Sequence, residues 1–202
     1  MGSLKGSLDA NGTVHLCIDM QRLFAPDGPW PTPWMPRVPP VVAALLQKAP
    51  ERAIFTRFVT APSPEEAPGM WQAYYRKWHS TTRLELDAAR LDLMPELQCY
   101  APPARIMNKL VYSAFGSGEL HPFLLRRNVH TLIVTGSETD VCVLSSALAA
   151  VDYGYRVIIV RDGVCSSSDE SHDALIDLFT RRFDLQLELA ASEEILDAWR
   201  PG

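Results

Sequence analysis

The chain has 202 residues, 47% of them hydrophobic and 21% charged, with a formal net charge of −5. Those figures fit one soluble domain, residues 1–202, large enough to bury a real core. The acidic balance argues against a nucleic-acid or membrane-surface binder, since the basic residues form only isolated pairs such as Arg126-Arg127 and Arg181-Arg182.

The chain opens on "MGSLKGSLDANG", a polar stretch expected to be a flexible segment over residues 1–12, with no apolar signal core. Thr13 to Asp19 ("TVHLCID") is the first apolar run and predicts a buried strand. A proline-dense stretch follows, Ala25 to Pro40, and then an amphipathic helix over Val38 to Lys48. Arg52 to Phe58 predicts the second strand. Thr60 to Leu86 is long and carries Trp71, Tyr74, Tyr75 and Trp78. Arg105 to Lys109 predicts a third strand, and Gly118 to Arg127 a helix. Thr131 to Gly136 predicts a fourth strand and Val141 to Tyr153 the next helix, with Thr139 or Asp140 as its cap and Gly154 as its end. Arg156 to Asp162 predicts the fifth strand and Asp169 to Thr180 a helix. Phe183 to Leu189 predicts a last strand and Glu193 to Trp199 a last helix. Alternating strands and helices imply a parallel sheet wrapped by helices. The two long stretches follow strand ends, where open parallel sheets bind ligands, so they are candidate pocket walls or lids. Packing against a second subunit is the other reading.

No run reaches the roughly 18 apolar residues of a membrane span. Cys17, Cys99, Cys142 and Cys165 are far apart, without CxxC or Cys/His ligand spacing, so neither a zinc site nor a disulfide framework is expected. A reducing, cytoplasmic setting follows.

Three polar residues sit at strand ends. Asp19 ends the first strand, Lys109 ends the third, and Cys142 follows the fourth at the head of its helix. In a parallel sheet the three ends share one rim. A thiol at a helix N-terminus beside an ammonium favours its thiolate. A carboxylate can take the thiol proton and pass it to a leaving amine, and backbone N–H groups at the helix mouth can hold an oxyanion. Singly, each has an ordinary explanation: a turn Asp, a core Cys, a solvated Lys.

Three stretches, "HLCIDMQRLF", "NKLVYSAF" and "TGSETDVCVLSSALAAVDYGYRVIIVRDGV", resemble the isochorismatase-like cysteine hydrolases, which include nicotinamidases, N-carbamoylsarcosine amidase and ureide hydrolases. The resemblance runs from about Val14 to Leu189. It implies a Rossmann-like three-layer α/β/α fold with a six-stranded, mostly parallel sheet. It implies an Asp19, Lys109, Cys142 triad and a thioester on Cys142. It also implies a cis peptide joining Ser137 to Glu138, with the N–H groups of Glu138 and Cys142 turned to the oxyanion.

Two departures stand out. Glu138 occupies a place where the family often has a small residue. Phe58 and Thr60 stand where nicotinamidases carry metal ligands, and His79 alone makes no site. The expectation is therefore a hydrolase of a small amide, carbamoyl or ureide substrate, with no cofactor or metal, working as a homodimer or homotetramer. Phe24, Phe58, Trp71, Tyr75, Trp78, Tyr112 and Phe115 are the candidate pocket residues, and Arg57, Arg76 or Arg83 could meet a substrate carboxylate. A non-catalytic protein that binds a ligand or partner through the same cleft is the alternative. A dinucleotide-binding domain is disfavoured, because "TGSETD" lacks GxGxxG.

Overall fold

Six apolar runs form one parallel sheet in the computed structural model, which describes residues 4–200. The strands are β1 (Thr13–Ile18), β2 (Ala53–Phe58), β3 (Arg105–Lys109), β4 (Thr131–Ser137), β5 (Arg156–Cys165) and β6 (Leu187–Ala190). Their spatial order is β3-β2-β1-β4-β5-β6, and every neighbouring pair is parallel. The chain starts in the middle, builds outward through β2 and β3, then returns to the other side of β1. The reversal lies between β1 and β4, where a crevice opens at the carboxyl ends.

Both faces of the sheet are covered, which is why β1 and β4 are buried along their whole length. One face carries α1 (Val38–Lys48), whose Val38, Val42, Leu45 and Leu46 point inward at helical spacing. Pro39 and Pro40 fall in its first turn, where a missing N–H costs nothing. The short α6 (Ser192–Ala198) packs beside it, with Ile195 and then Trp199 buried in the same cluster. The other face carries α3 (Leu120–Arg126), α4 (Leu144–Asp152) and α5 (Asp169–Arg182). At the head of α5, Ser168 accepts the Ser171 N–H at 3.2 Å; Asp169 and Glu170 lie in its first turn and Arg181 and Arg182 in its last.

The expected helices and strands stand close to their predicted places, with three differences. A sixth helix, α2 (Trp71–Lys77), lies inside the long stretch read as a loop. The last strand is shorter: Phe183 to Gln186 form a turn with Leu185 exposed, and pairing with β5 starts at Leu187. The fourth helix begins as a π-helical turn, Thr139–Val143, before α4. Neither Thr139 nor Asp140 caps it. The Thr139 hydroxyl bonds His172 Nδ1 at 2.9 Å, and Asp140 accepts from the Ser166 hydroxyl. Both side chains tie the turn to the segment that enters α5.

Within the N-terminal stretch, Leu8 and Gly12 are buried, while Lys5, Gly6, Ser7, Asp9 and Asn11 are exposed. Leu8 is buried with α1 and α6, and the Lys5 N–H donates to Glu188 at 2.6 Å. Residues 1–3 lie outside the described residues. Among the described residues no helix is long and apolar enough to cross a membrane.

Candidate active site

Asp19 follows β1 directly and holds a positive φ of 49°, a conformation that Asp tolerates better than most residues. This bend turns its carboxylate along the rim. Thr56 of β2 fixes it from both sides: its hydroxyl accepts the Asp19 N–H at 3.1 Å and donates to Asp19 Oδ1 at 2.6 Å. Gln21 clamps the next turn, accepting the Phe58 N–H at 2.7 Å and donating to the carbonyls of Phe58 and Leu91 at 3.2 and 2.8 Å.

Lys109 reaches the same point from two strands away. Its stem leaves the end of β3 and passes Phe58, the last residue of β2, whose ring centroid lies 4.9 Å from the ammonium. Lys109 Nζ then sits 2.7 Å from Asp19 Oδ2 and 3.4 Å from Cys142 Sγ, and donates to the Val111 carbonyl at 3.1 Å. The lysine is 1% exposed and the aspartate 0%, so the pair is fully desolvated. Burial alone lowers a lysine pKa; the Asp19 carboxylate, with Cys142, outweighs it and holds Lys109 above its ordinary value.

Cys142 is carried by the π-helical turn. The Glu138 carbonyl accepts the N–H groups of Val141 and Val143, and Ser146 donates to the Cys142 carbonyl at 2.7 Å while accepting the Ala114 N–H at 2.9 Å. Such turns within helices are frequent at functional sites. The peptide joining Ser137 to Glu138 is cis. Outside the turn itself, the N–H groups of Glu138 and Cys142 have no acceptor among the described residues. The thiol differs from the sequence expectation of a favoured thiolate. Burial pushes it up, the Asp19 carboxylate adds to the rise, and Lys109 only partly opposes it. At 4% exposure the helix mouth gives little solvation to a free thiolate, so burial and the neighbouring carboxylate both favour the protonated form, with the Lys109-paired carboxylate of Asp19 close by.

A cleft of about 490 Å³ opens above Cys142. Phe24, Phe58, Trp78 and Tyr112 line it, as expected from the sequence. The other three expected residues do not. Trp71 stands behind Phe58 and Tyr112, with ring centroids at 6.3 and 4.8 Å. Tyr75 is buried and, like Trp71, lines a neighbouring recess. Phe115 is in the core against Tyr153 and Tyr155. Trp30, Pro31 and Tyr74 join the lining from the two long stretches read as candidate pocket walls, and Val141 and Ser167 are the unforeseen members. Trp30 is the hub, with Phe24, Phe58, Tyr74 and Trp78 all about it at centroid distances of 5.9–6.1 Å. Glu138 also lines the cleft, and its Oε1 accepts the Ser167 N–H at 3.2 Å. None of Arg57, Arg76 and Arg83 reaches it. Arg57 donates to Asn108, Arg76 to Gln72, and Arg83 lines the neighbouring recess. His79 is exposed, and among the described residues no three His, Cys, Asp or Glu side chains gather as a metal-holding group.

The fold and this rim define a doubly wound α/β protein with an acid, an ammonium and a thiol converging at the strand ends. A model of the isochorismatase domain matches residues 13–191, so the chain belongs to the isochorismatase family. It is 30% identical over 91 residues to maleamate amidohydrolase of Pseudomonas putida, a match covering 45% of this chain and 43% of that one. The chain thus spans less than half the length of that curated relative. Among solved structures it is similar to a cysteine hydrolase from Pseudomonas syringae pv. phaseolicola, with a TM-score of 0.83, 20% identity and coverage of 98% and 97%. It is also similar to N-carbamoylsarcosine amidase of Thermoplasma acidophilum, with a TM-score of 0.71, 21% identity and coverage of 90% and 96%. At those identities the structural likeness speaks for the fold.

Proposed function

We propose that the chain is a cysteine hydrolase that cleaves the C–N bond of a small amide, carbamoyl or ureide substrate through a thioester on Cys142. One observation carries the reading: Lys109 Nζ lies 2.7 Å from Asp19 and 3.4 Å from Cys142 Sγ, at the floor of a cleft that Cys142 lines. The amidases among its relatives support it.

In this scheme Asp19 removes the thiol proton as sulfur attacks the carbonyl carbon, and Lys109 holds the carboxylate in place throughout. The N–H groups of Glu138 and Cys142 receive the oxyanion. The tetrahedral species collapses with loss of the amine, which takes the proton from Asp19. Water then gives a proton back to Asp19 as its oxygen attacks the thioester, and the departing thiolate recovers that proton. Every step uses groups of the chain itself. The cleft's lining offers aromatic rings, one carboxylate, one thiol and one serine hydroxyl, and no histidine, a sparse donor set for a metal, which supports metal-independent chemistry.

The test is ammonia release from a panel of primary amides, ureides and carbamoyl amino acids. Cys142→Ala should lower turnover at least ~1000-fold, with an unchanged circular dichroism spectrum. Turnover retained in that variant rules out Cys142 as the nucleophile and leaves another mechanism, whereas no turnover of any substrate by the parent protein leaves a binding protein.

A further inference from the structure

The cleft carries a charge pattern that speaks to its ligand. Glu138 is the one charged side chain lining it. Beneath, Lys109 is already paired with Asp19, so the two contribute no net charge. A ligand carboxylate would find no arginine, free lysine or histidine in the lining, and would meet Glu138. The upper walls are rings of Trp30, Tyr74, Trp78 and Tyr112. Ring faces attract cations, tryptophan most strongly.

Glu138 is held from one side only, by Ser167. Its Oε1 takes the Ser167 N–H, and Oε2 has no hydrogen bond among the described residues. Burial, more than any neighbour, raises its pKa, because the charged form is poorly solvated there. A half-dry carboxylate with one open oxygen is stabilised by a cation and gains less from a neutral group.

We propose that the cleft selects substrates whose non-reacting end is a cation, an alkylated or protonated ammonium, seated among Trp30, Tyr74, Trp78 and Tyr112 and facing Glu138. The inference rests on the amidase reading of the same site and names its substrate class. With the amide carbon over Cys142, the cationic end occupies the aromatic part of the cleft.

Three amides of similar size test it: trimethylammonioacetamide, its neutral isostere 3,3-dimethylbutanamide, and succinamate as the anion. The expected order of kcat/KM is cation, neutral, anion, with the cation ahead of its isostere by roughly tenfold or more. In Glu138→Gln the ratio of cation to isostere should fall to near one. A preference for the neutral or anionic amide, or a ratio indifferent to Glu138→Gln, overturns the proposal. A binding arm separates it from the hydrolase reading. Phenyltrimethylammonium and benzoate are titrated into Cys142→Ala, with tryptophan fluorescence as the signal. Binding of the ammonium alone, weakened at least tenfold by adding Glu138→Gln, supports the cation site even if no amide is turned over, in which case the hydrolase reading is what fails. Amides turned over without charge preference, and no ammonium binding, leave the hydrolase standing and end the cation site.

Discussion

Lys109 and Asp19 form an ion pair with almost no water about it. Removing one member of such a pair strands the other charge and costs about 3–5 kcal/mol, whereas removing both is far milder. Asp19→Asn and Lys109→Met should each lower the free energy of unfolding in urea by about that much. The double variant should be more stable than either single one, and activity should be lost in all three without additive effect. A double variant less stable than both would mean that the pair is not the unit described. The thiol gives a second handle. Burial raises its pKa and Asp19 raises it further, so removing the carboxylate frees Lys109 to stabilise the thiolate. In Asp19→Asn the pH midpoint for alkylation of Cys142 by iodoacetamide should therefore shift downward while turnover disappears. A midpoint that stays put contradicts the arrangement of charges.

The elements explain why these residues meet. β1 and β4 approach so closely at the switch point that a Cβ on Gly136 would lie 1.9 Å from the Ile18 carbonyl oxygen, and Gly136 has a φ of +120°. Backbone, not a yielding side chain, opposes it. Gly136→Ala should cost about 3 kcal/mol or more in unfolding free energy and also reduce activity, because the displaced strand end carries Asp19. Thermal melts and turnover of that variant check both halves. Much at this scale was legible in the sequence. β1, β2, β4 and β5 each carry a largely apolar stretch, and Val38, Val42, Leu45 and Leu46 mark α1 by spacing. Asp19, Lys109 and Cys142 could be placed on one rim because Asp19 directly follows a run, Lys109 ends one, and Cys142 heads the helix that comes after a third. The missed features lack such a signal. α2 is two turns with three aromatic residues and one buried member, too short for a clear stripe. Thr56 looks like any strand threonine until Asp19 bends back toward it. Trp30 belongs to the cleft through tertiary packing alone, and Phe115 is drawn out of it by Tyr153 and Tyr155.

Across the whole molecule the sheet shelters polar groups that have no part in the site. His15 lies fully buried in β1, with Nε2 2.9 Å from the Thr135 hydroxyl on β4. Burial lowers its pKa from 6.5 to about 3. The folded chain keeps it neutral, while the unfolded chain protonates it below about 6.5. The unfolded state then binds more protons, so stability falls as pH drops from about 6.5 toward 3 and is fully present above that window. Between pH 7 and 4.5 this one group should remove about 2–3 kcal/mol, and His15→Gln should lose that much less than the parent protein in urea titrations at the two pH values. Equal acid sensitivity in both proteins would place the acid response elsewhere.

All of this converges on sulfur chemistry at residue 142, and the most direct measurement is mass spectrometry of the enzyme quenched in acid during turnover of an activated amide. The account predicts one added acyl group on the peptide that contains Cys142, released by hydroxylamine and absent from Cys142→Ala. An enzyme that turns substrate over at full rate with Cys142 unmodified, or with the acyl group on another residue, would contradict it.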